Sequence, residues 1–406
     1  MSRSYLYFEY RKAMINLETQ HFKLNRILLL IIGLWPLQQS NLTRLQFIFL
    51  STILTTNITF QLMAFVTLRC TPDLIANVLS STCFSSTYAI KYNLFHFNIG
   101  AMKDLLMQLQ NICNGLKDEN EITIMKKYSC NAERYTIVLT ILTVCSVFIL
   151  IVGFIGSSIF YMILPMNVTR SRRLPITIEY FIDQEKYYYL ILLHIIMAIL
   201  IGAIAMIAIG TMLIAYFQHT CGMFRISSYR IKRAMYTNTL GNIKWKKENL
   251  ILKGIISAVD IHRQAMRLSR LLASKIETML YCLIMLGVIS LSLNLFRIFQ
   301  ITSSENDIKE YMFPLFTTIT SILYMFLANY IAQDLTDHNN DIFATVYNVQ
   351  WNVAPLHIQK VILFLLQRGA KDFTISVGGL FVGSLECFAT LVKTSVSYFT
   401  VIYSTQ

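Results

Sequence analysis

The sequence predicts an all-α membrane protein of seven transmembrane helices, with a cytoplasmic N-terminus and an extracellular C-terminus. Three observations predict it. The 406 residues are 55% hydrophobic and 14% charged, with a positive mean hydropathy, a balance that belongs to polytopic membrane proteins rather than soluble domains. Seven stretches are long and apolar enough to cross a hydrocarbon core of ~30 Å at ~1.5 Å per helical residue. Lysine and arginine alternate between connecting segments: 1–44, 91–134 and 218–275 hold 24 of them, whereas 67–73, 164–186 and 299–310 hold six. The richer side is the cytosolic one. The same clustering beside apolar spans turns the net charge of +13 away from a nucleic-acid reading.

The chain opens with a polar, basic segment, followed by ILLLIIGLW and Pro36. That run is too short to span, so it either lies at the interface, where Trp35 would fit, or packs on the bundle. It also lacks the small-residue cleavage site of a secretory leader. Span one is Phe47–Leu68. Span two, Leu74–Phe97, is weaker, being interrupted by Lys91 and His96. Span three is Tyr135–Ile163. The loop 164–186 carries the sequon Asn167-Val168-Thr169, a glycan acceptor on the outer side, whereas the sequons at Asn41 and Asn57 fall in cytosolic and membrane positions. Span four, Tyr187–Phe217, is longer than a bilayer needs and should tilt or continue as helix through FRISSYRIKRAM. Spans five and six are Thr278–Phe299 and Tyr311–Ala332, and an amphipathic helix, His357–Arg368, precedes the final span. The expected organisation is one membrane domain over 1–406. Within it, 1–46 is a cytosolic N-terminal segment with a short interfacial helix, 47–332 holds spans one to six, 333–371 is a cytosolic region, and 372–406 is the last helix.

Catalytic and metal-binding patterns are not found. The eight cysteines show no CxxC pair, His219 and Cys221 lack two further ligands at metal spacing, and no Walker loop, GxSxG or HExxH occurs. The expectation is a protein that is not an enzyme and holds no metal or cofactor. His194, deep in span four, reads as a hydrogen-bonded core or pocket residue. Mid-membrane charge is expected only in the last span, at Glu386 and Lys393. Advancing ~100° per residue from Glu386 places Thr390, Lys393, Ser397, Thr400 and Ser404 within ~40° of it. The opposite side is apolar apart from Ser395. Lipid cannot satisfy such a stripe, which leaves two readings open, a pore-lining helix or a polar helix–helix seam. Gly379 and Gly383 add a small-xxx-small step at its start.

The C-terminal stretch resembles the signature of insect odorant receptors. The matching pieces are Tyr347 with Trp351, Gln359-Lys360, Gly378-Gly379, Ser384-Leu385-Glu386, Lys393-Thr394-Ser395 and Ser397-Tyr398-Phe399. Gly33-Leu34-Trp35-Pro36 and EYFIDQEKYYYLILLH are similar to tuning members of that family. The resemblance implies the insect odorant receptor-like channel fold: an odorant-gated, non-selective cation channel in the plasma membrane of a sensory dendrite, built as a heterotetramer with a shared co-receptor. It implies that four last helices line one pore and that the cytosolic helix ends form an anchor between subunits. It places Val401, Ser404 and Thr405 at the gate. The co-receptor is apolar at two of those positions and this chain only at Val401; the chain also lacks the co-receptor's insertion between spans four and five, so it reads as a tuning subunit.

By the same resemblance, a volatile ligand sits in the outer half of the bundle between spans two, three, four and six. The candidates there are Val78, Phe84, Phe148, Val152, Ile155, Tyr189, Leu193, Phe313, Phe316 and Thr317. Such a cavity binds by burial plus one or two polar contacts, for which Tyr189 and Thr317 offer hydroxyls. A gustatory receptor of the same architecture is the alternative, although the close SYFTVIYSTQ departs from its Gln-Phe ending. A G-protein-coupled receptor would need an outside N-terminus, and the DRY and NPxxY motifs are missing. A transporter should show internal repeats, and none is visible.

Overall fold

The computed structural model describes residues 22–163, 174, 176–236, 244–303, 308–369 and 373–404. Ten α-helices are seen among them, which we number in order: α1 Lys23–Ile31, α2 Asn41–Thr67, α3 Pro72–Phe97, α4 Ile99–Asn114, α5 Glu119–Ile163, α6 Tyr188–Tyr236, α7 Lys244–Ser303, α8 Ile308–Asn348, α9 Leu356–Gly369 and α10 Leu385–Ser404. A short antiparallel hairpin, β1 Ser376–Val377 and β2 Phe381–Val382, precedes α10.

Six of these helices are long and apolar enough to cross a membrane by composition: α2, α5, α6, α7, α8 and α10. The seventh, α3, is long enough but too polar by that criterion. It packs against α2, α6 and α7, so its Ser80, Ser81, Ser85 and Lys91 are buried in protein and lipid does not dictate its composition. Lys91 corrects the expectation that intramembrane charge is confined to the last span. Fully buried, it donates from Nζ to the Met206 carbonyl and the Tyr324 hydroxyl, at 3.1 Å each, and lies 4.4 Å from the Tyr324 ring centroid. Arg297 on α7 is a second buried cation, donating to Ser80 Oγ at 3.2 Å.

Helix α6 is the mast of the bundle. Its 49 residues run unbroken through FRISSYRIKRAM, and it packs against α1, α2, α3, α5, α7 and α8. Gly202 permits the approach of α3, because a Cβ there would stand 2.0 Å from the Tyr88 ring. The short apolar run near the N-terminus also belongs to this packing. Leu29, Ile32, Leu34 and Trp35 are buried, so Trp35 is a core residue and not an interfacial one. The α1 segment is tied in by Asn25 Nδ2 donating to Thr211 Oγ1 at 2.9 Å and by Tyr92 Oη donating to the Ile32 carbonyl at 2.9 Å.

Helices α5 to α8 all continue past their apolar spans on the basic side, by ~20 Å or more at 1.5 Å per residue. Polar contacts hold this extension. Glu121 takes a bidentate pair from Arg230, both contacts at 2.7 Å; His219 meets Ser129 at 3.0 Å; His262 meets Asn339 at 2.9 Å. Helix α9 packs Ile358 and Ile362 onto the assembly.

The last span differs from expectation at its start. The helix begins at Leu385, because Gly378 and Gly379 take φ of +62° and +67°, the left-handed pair of a tight hairpin turn. Leu380 N–H closes that turn on the Val377 carbonyl. The step from Gly379 to Gly383 therefore lies outside any helix. The 20 residues of α10 still give ~30 Å, one hydrocarbon thickness.

Two outcomes follow from this packing. Gly202→Val should cost ~3 kcal/mol or more through overpacking and lower the detergent melting temperature, while Gly156→Ala, whose added Cβ meets nothing within 4 Å, should leave it unchanged. His338, in the basic extension, is half-buried beside Asp334. Burial lowers its pKa, but the hydrogen bonds and charge of Asp334, with Asp341, outweigh this and leave it above the ordinary value. A raised folded-state pKa stabilises below the unfolded value of ~6.5 and is lost as pH rises through the folded one. Melting temperature should fall as pH is raised through neutrality, and Asp334→Asn should flatten that dependence.

Candidate functional site

At the end of the bundle opposite the basic extension, α2, α3, α6 and α8 converge on a small cavity. It is lined by Leu54 and Asn57, by Phe84, Ser85 and Tyr88, by Ile195, Ala198 and Ile199, and by Phe313, with Ile176 of the loop before α6 above them. Its volume is about 10 Å³, room for about one water. The loop is fastened as a cover: Glu179 N–H donates to the Phe60 carbonyl at 2.9 Å, and Ile176 and Ile178 are buried. Tyr180 Oη meets His194 Nδ1 at 2.6 Å, and Thr56 Oγ1 meets His194 Nε2 at 3.1 Å. His194 thus ties α2, α6 and the loop together.

The lining is aromatic with one polar corner. Phe84 stands edge-on to Phe313 and Phe316, with centroids 6.2 and 6.1 Å apart, and 4.9 Å from Tyr88, the favoured geometry for such pairs. In the corner, Asn57 Nδ2 and Gln61 Nε2 both donate to Ser85 Oγ, at 3.4 and 3.2 Å. Among the described residues, the amide oxygens of Asn57 and Gln61 are buried with no hydrogen-bond partner. A ligand hydroxyl would relieve them, since an unsatisfied buried acceptor costs ~1–3 kcal/mol.

Of the candidates read from the sequence, Phe84 and Phe313 line this cavity and Phe316 backs it. Val78 is buried on α3. Thr317 is also buried, but its hydroxyl is committed to Asn294 Oδ1 at 2.8 Å. Phe148, Val152 and Ile155 on α5, and Tyr189 and Leu193 on α6, turn outward. Phe148 is 66% exposed and Tyr189 and Leu193 are 56%. Span one enters the lining in place of span three. The Asn57/Gln61 pair, four residues apart in an apolar span, was the legible sign of this corner, and Ile195, Ala198 and Ile199 mark the inward stripe of α6.

Helix α10 is held by one face only. Ser292 Oγ donates to the Ser395 carbonyl at 2.9 Å, Leu391 and Ser395 are buried, and Phe388 and Phe399 lie against Phe326 and Phe299, at 5.5 and 4.9 Å. Ser395, the polar exception on the apolar side, is thus a contact with α7. The other face exposes Glu386, Thr390, Lys393, Ser397, Val401 and Ser404. Thr390 and Ser404 return their hydroxyls to carbonyls of their own helix, which leaves the Ser397 hydroxyl and the charges of Glu386 and Lys393 as the groups that need water or another protein. Thr405 and the sequon Asn167 lie outside the described residues.

Cys221, Asp334 and His338 bring donor atoms within 4.8 Å of one another, the one such cluster among the described residues. Tyr128 Oη meets His338 Nε2 at 2.8 Å, His338 Nδ1 meets the Asp334 carbonyl at 2.7 Å, and Gln218 donates to Asp334 Oδ2 at 3.0 Å. Burial, with Asp334 beside it, holds the Cys221 thiol well above its usual range. His338 and Asp334 thus form a hydrogen-bonded knot with Tyr128 and Gln218 that joins α5, α6 and α8.

The family model described as "7tm Odorant receptor" matches residues 71–396. Among solved structures, the chain is similar to insect olfactory receptor OR5 from Machilis hrabei. In complex with eugenol that receptor aligns with a TM-score of 0.76 at 13% identity, covering 97% of this chain and all of that one. The structure described without eugenol gives 0.72 at 14% identity, covering 98% and 100%. No curated protein matches. With the family pattern running over most of its length and the fold shared from end to end, the chain belongs to the odorant receptor family.

Proposed function

We propose that this chain is the ligand-tuning subunit of an odorant-gated, non-selective cation channel. It works in the plasma membrane as a heterotetramer with a shared co-receptor. The observation that carries this reading is α10, packed on one face and exposing a file from Glu386 through Lys393 to Val401 and Ser404 on the other. Such a helix suits the wall of a pore built from several copies, with Glu386, Thr390, Lys393, Ser397, Val401 and Ser404 toward the water. The lysine and arginine count supports a cytoplasmic N-terminus, which puts Asn167 outside for glycosylation.

The ligand in this reading is a volatile small molecule taken into the α2–α3–α6–α8 cavity, and the unsatisfied amide oxygens favour one that carries a hydroxyl. Eugenol, found with the Machilis hrabei receptor, is a phenol of that kind. A cavity of this size must open to admit it, by rotation of Phe84 and Phe313 away from each other.

Whole-cell current across a volatile panel tests the function. Current should require both this chain and the co-receptor, and Glu386→Ala or Lys393→Ala should reduce it several-fold; unchanged current in both variants removes the pore assignment. Pocket chemistry is tested with matched pairs, a phenol or alcohol against its methyl ether. Loss of the acceptors in Asn57→Leu with Gln61→Leu should raise the half-maximal concentration of the hydroxyl compound by about ten-fold, at 1.4 kcal/mol per decade. The ether should respond as before, and equal losses for both compounds would count against the polar corner.

A further inference from the structure

A roomier cavity lies neither at the candidate ligand site nor beside α10. It sits in the basic extension between α5 and α6, with a volume of about 310 Å³, at the lower edge of the ~300–1,000 Å³ usual for small-molecule pockets. By the same measure the ligand cavity holds about 10 Å³ and the space under the hairpin about 70 Å³. The lining is Ile124, Lys127 and Tyr128 from α5 and Arg225, Ser228, Tyr229 and Lys232 from α6. The spacings i, i+3, i+4 on one helix and i, i+3, i+4, i+7 on the other make two facing stripes.

Three cations therefore line one concavity. No carboxylate lies within ion-pair distance of Lys127, Arg225 or Lys232 among the described residues. Their neighbours differ: Arg230 is taken by Glu121 and Arg233 by Asp118, so those nearby acids are engaged elsewhere. A basic stretch on the inner side of a membrane protein is most often just a solvated face. Here Lys127, Arg225 and Lys232 are exposed, but they line one open concavity and are interleaved with hydroxyls. Tyr229 Oη accepts from Asn120 Nδ2 at 2.9 Å, which leaves its own proton to donate, and Ser228 is buried in the wall. A guanidinium fork, two ammonium groups and hydroxyl donors together suit phosphate oxygens.

We propose that this cavity binds a small polyol carrying two or more phosphate groups, either as a free inositol phosphate or as the headgroup of a phosphoinositide. Lys127 and Arg225 each lie eight residues beyond the apolar spans, ~12 Å below the hydrocarbon edge, where a lipid headgroup reaches the rim. Lys232 lies deeper, where a free ligand enters from solution. Tyr128 lines the cavity and also bonds His338 of α8, so occupancy ties α5 and α6 to the helix that packs against α10. Only the cellular source of the ligand depends on the channel reading and its orientation, because binding is measured on purified protein without current.

The full-length receptor in detergent is titrated with fluorescent inositol 1,4,5-trisphosphate. In parallel it is incubated with phosphatidylcholine vesicles containing 5% phosphatidylinositol 4,5-bisphosphate, or phosphatidylserine at matched charge. Free trisphosphate binding assigns a soluble ligand; binding only to the bisphosphate vesicles assigns the lipid; either supports the site. The variant K127A/R225A/K232A should weaken the bound form by at least about 30-fold, from loss of several charge-assisted hydrogen bonds. The exchange K127R/R225K/K232R should retain most of it. R263A/R267A removes exposed charge from α7 as a control for net charge. Binding should also fall with added salt. Absence of binding to either probe, equal binding to phosphatidylserine, or equal loss in the α7 control would overturn the proposal.

Discussion

Inside the hydrocarbon layer a polar group has no water to turn to, and that constraint arranges this protein. The hydroxyls of the spanning helices are mostly returned to carbonyls three or four residues back, as at Thr52, Thr140, Thr320 and Thr390. Groups that cannot be settled within their own helix are drawn to the bundle interior. Lys91 reaches the Met206 carbonyl and Tyr324, Asn294 and Thr317 join α7 to α8, and His194 joins α2 to the loop and α6. The most polar spanning helix, α3, is consequently enclosed. Helix α10 departs from this rule on one face, and that departure gives the channel reading its physical basis.

Much of the fold was legible because the bilayer imposes length and hydropathy so strictly. Six of the spans, the long continuation of α6 and the amphipathic α9 follow from composition and periodicity, whereas α3 is too polar to be counted that way and belongs to the bundle through its packing on α2, α6 and α7. What was not legible has specific causes. The charge of Lys91 was visible, but its enclosure depends on neighbours far apart in sequence. The start of α10 was set by two glycines in left-handed conformation, which read equally well as a packing step in a helix. Trp35 was placed at the interface by its type, whereas α1 is drawn into the bundle by Asn25 and Tyr92.

The candidate ligand site shows the same limit more sharply. Periodicity identifies which residues share a helical face but not which direction that face points. Phe84 and Phe313 meet across the cavity, while Phe148 and Tyr189, equally aromatic and at plausible depths, point away from it. In an aqueous protein the exposed aromatic would be the anomaly. In a membrane protein lipid accepts it as readily as the core does, so hydrophobicity loses its power to tell inside from outside. The polar corner is more informative, because Asn57 and Gln61 can be tolerated only where the protein or a ligand answers them.

Helix α8 is the element common to the cavity and the last helix. It brings Phe313 to the cavity, and eleven residues on Tyr324 receives the Lys91 amine. Further along, Asn329 accepts from the Ser384 amide at the start of α10 and Ala332 abuts Gly383. Pro314 withholds a backbone donor within the first turns of α8, so the segment carrying Phe313 is less firmly tied than the rest. On the proposed reading, a ligand that separates Phe84 from Phe313 displaces the more deformable end of α8. The stiffer remainder transmits that displacement to Asn329 and Ala332, against the helix that exposes Glu386 and Lys393. The physical link between ligand and pore is then one helix in contact with both, with no need for a longer route through the bundle.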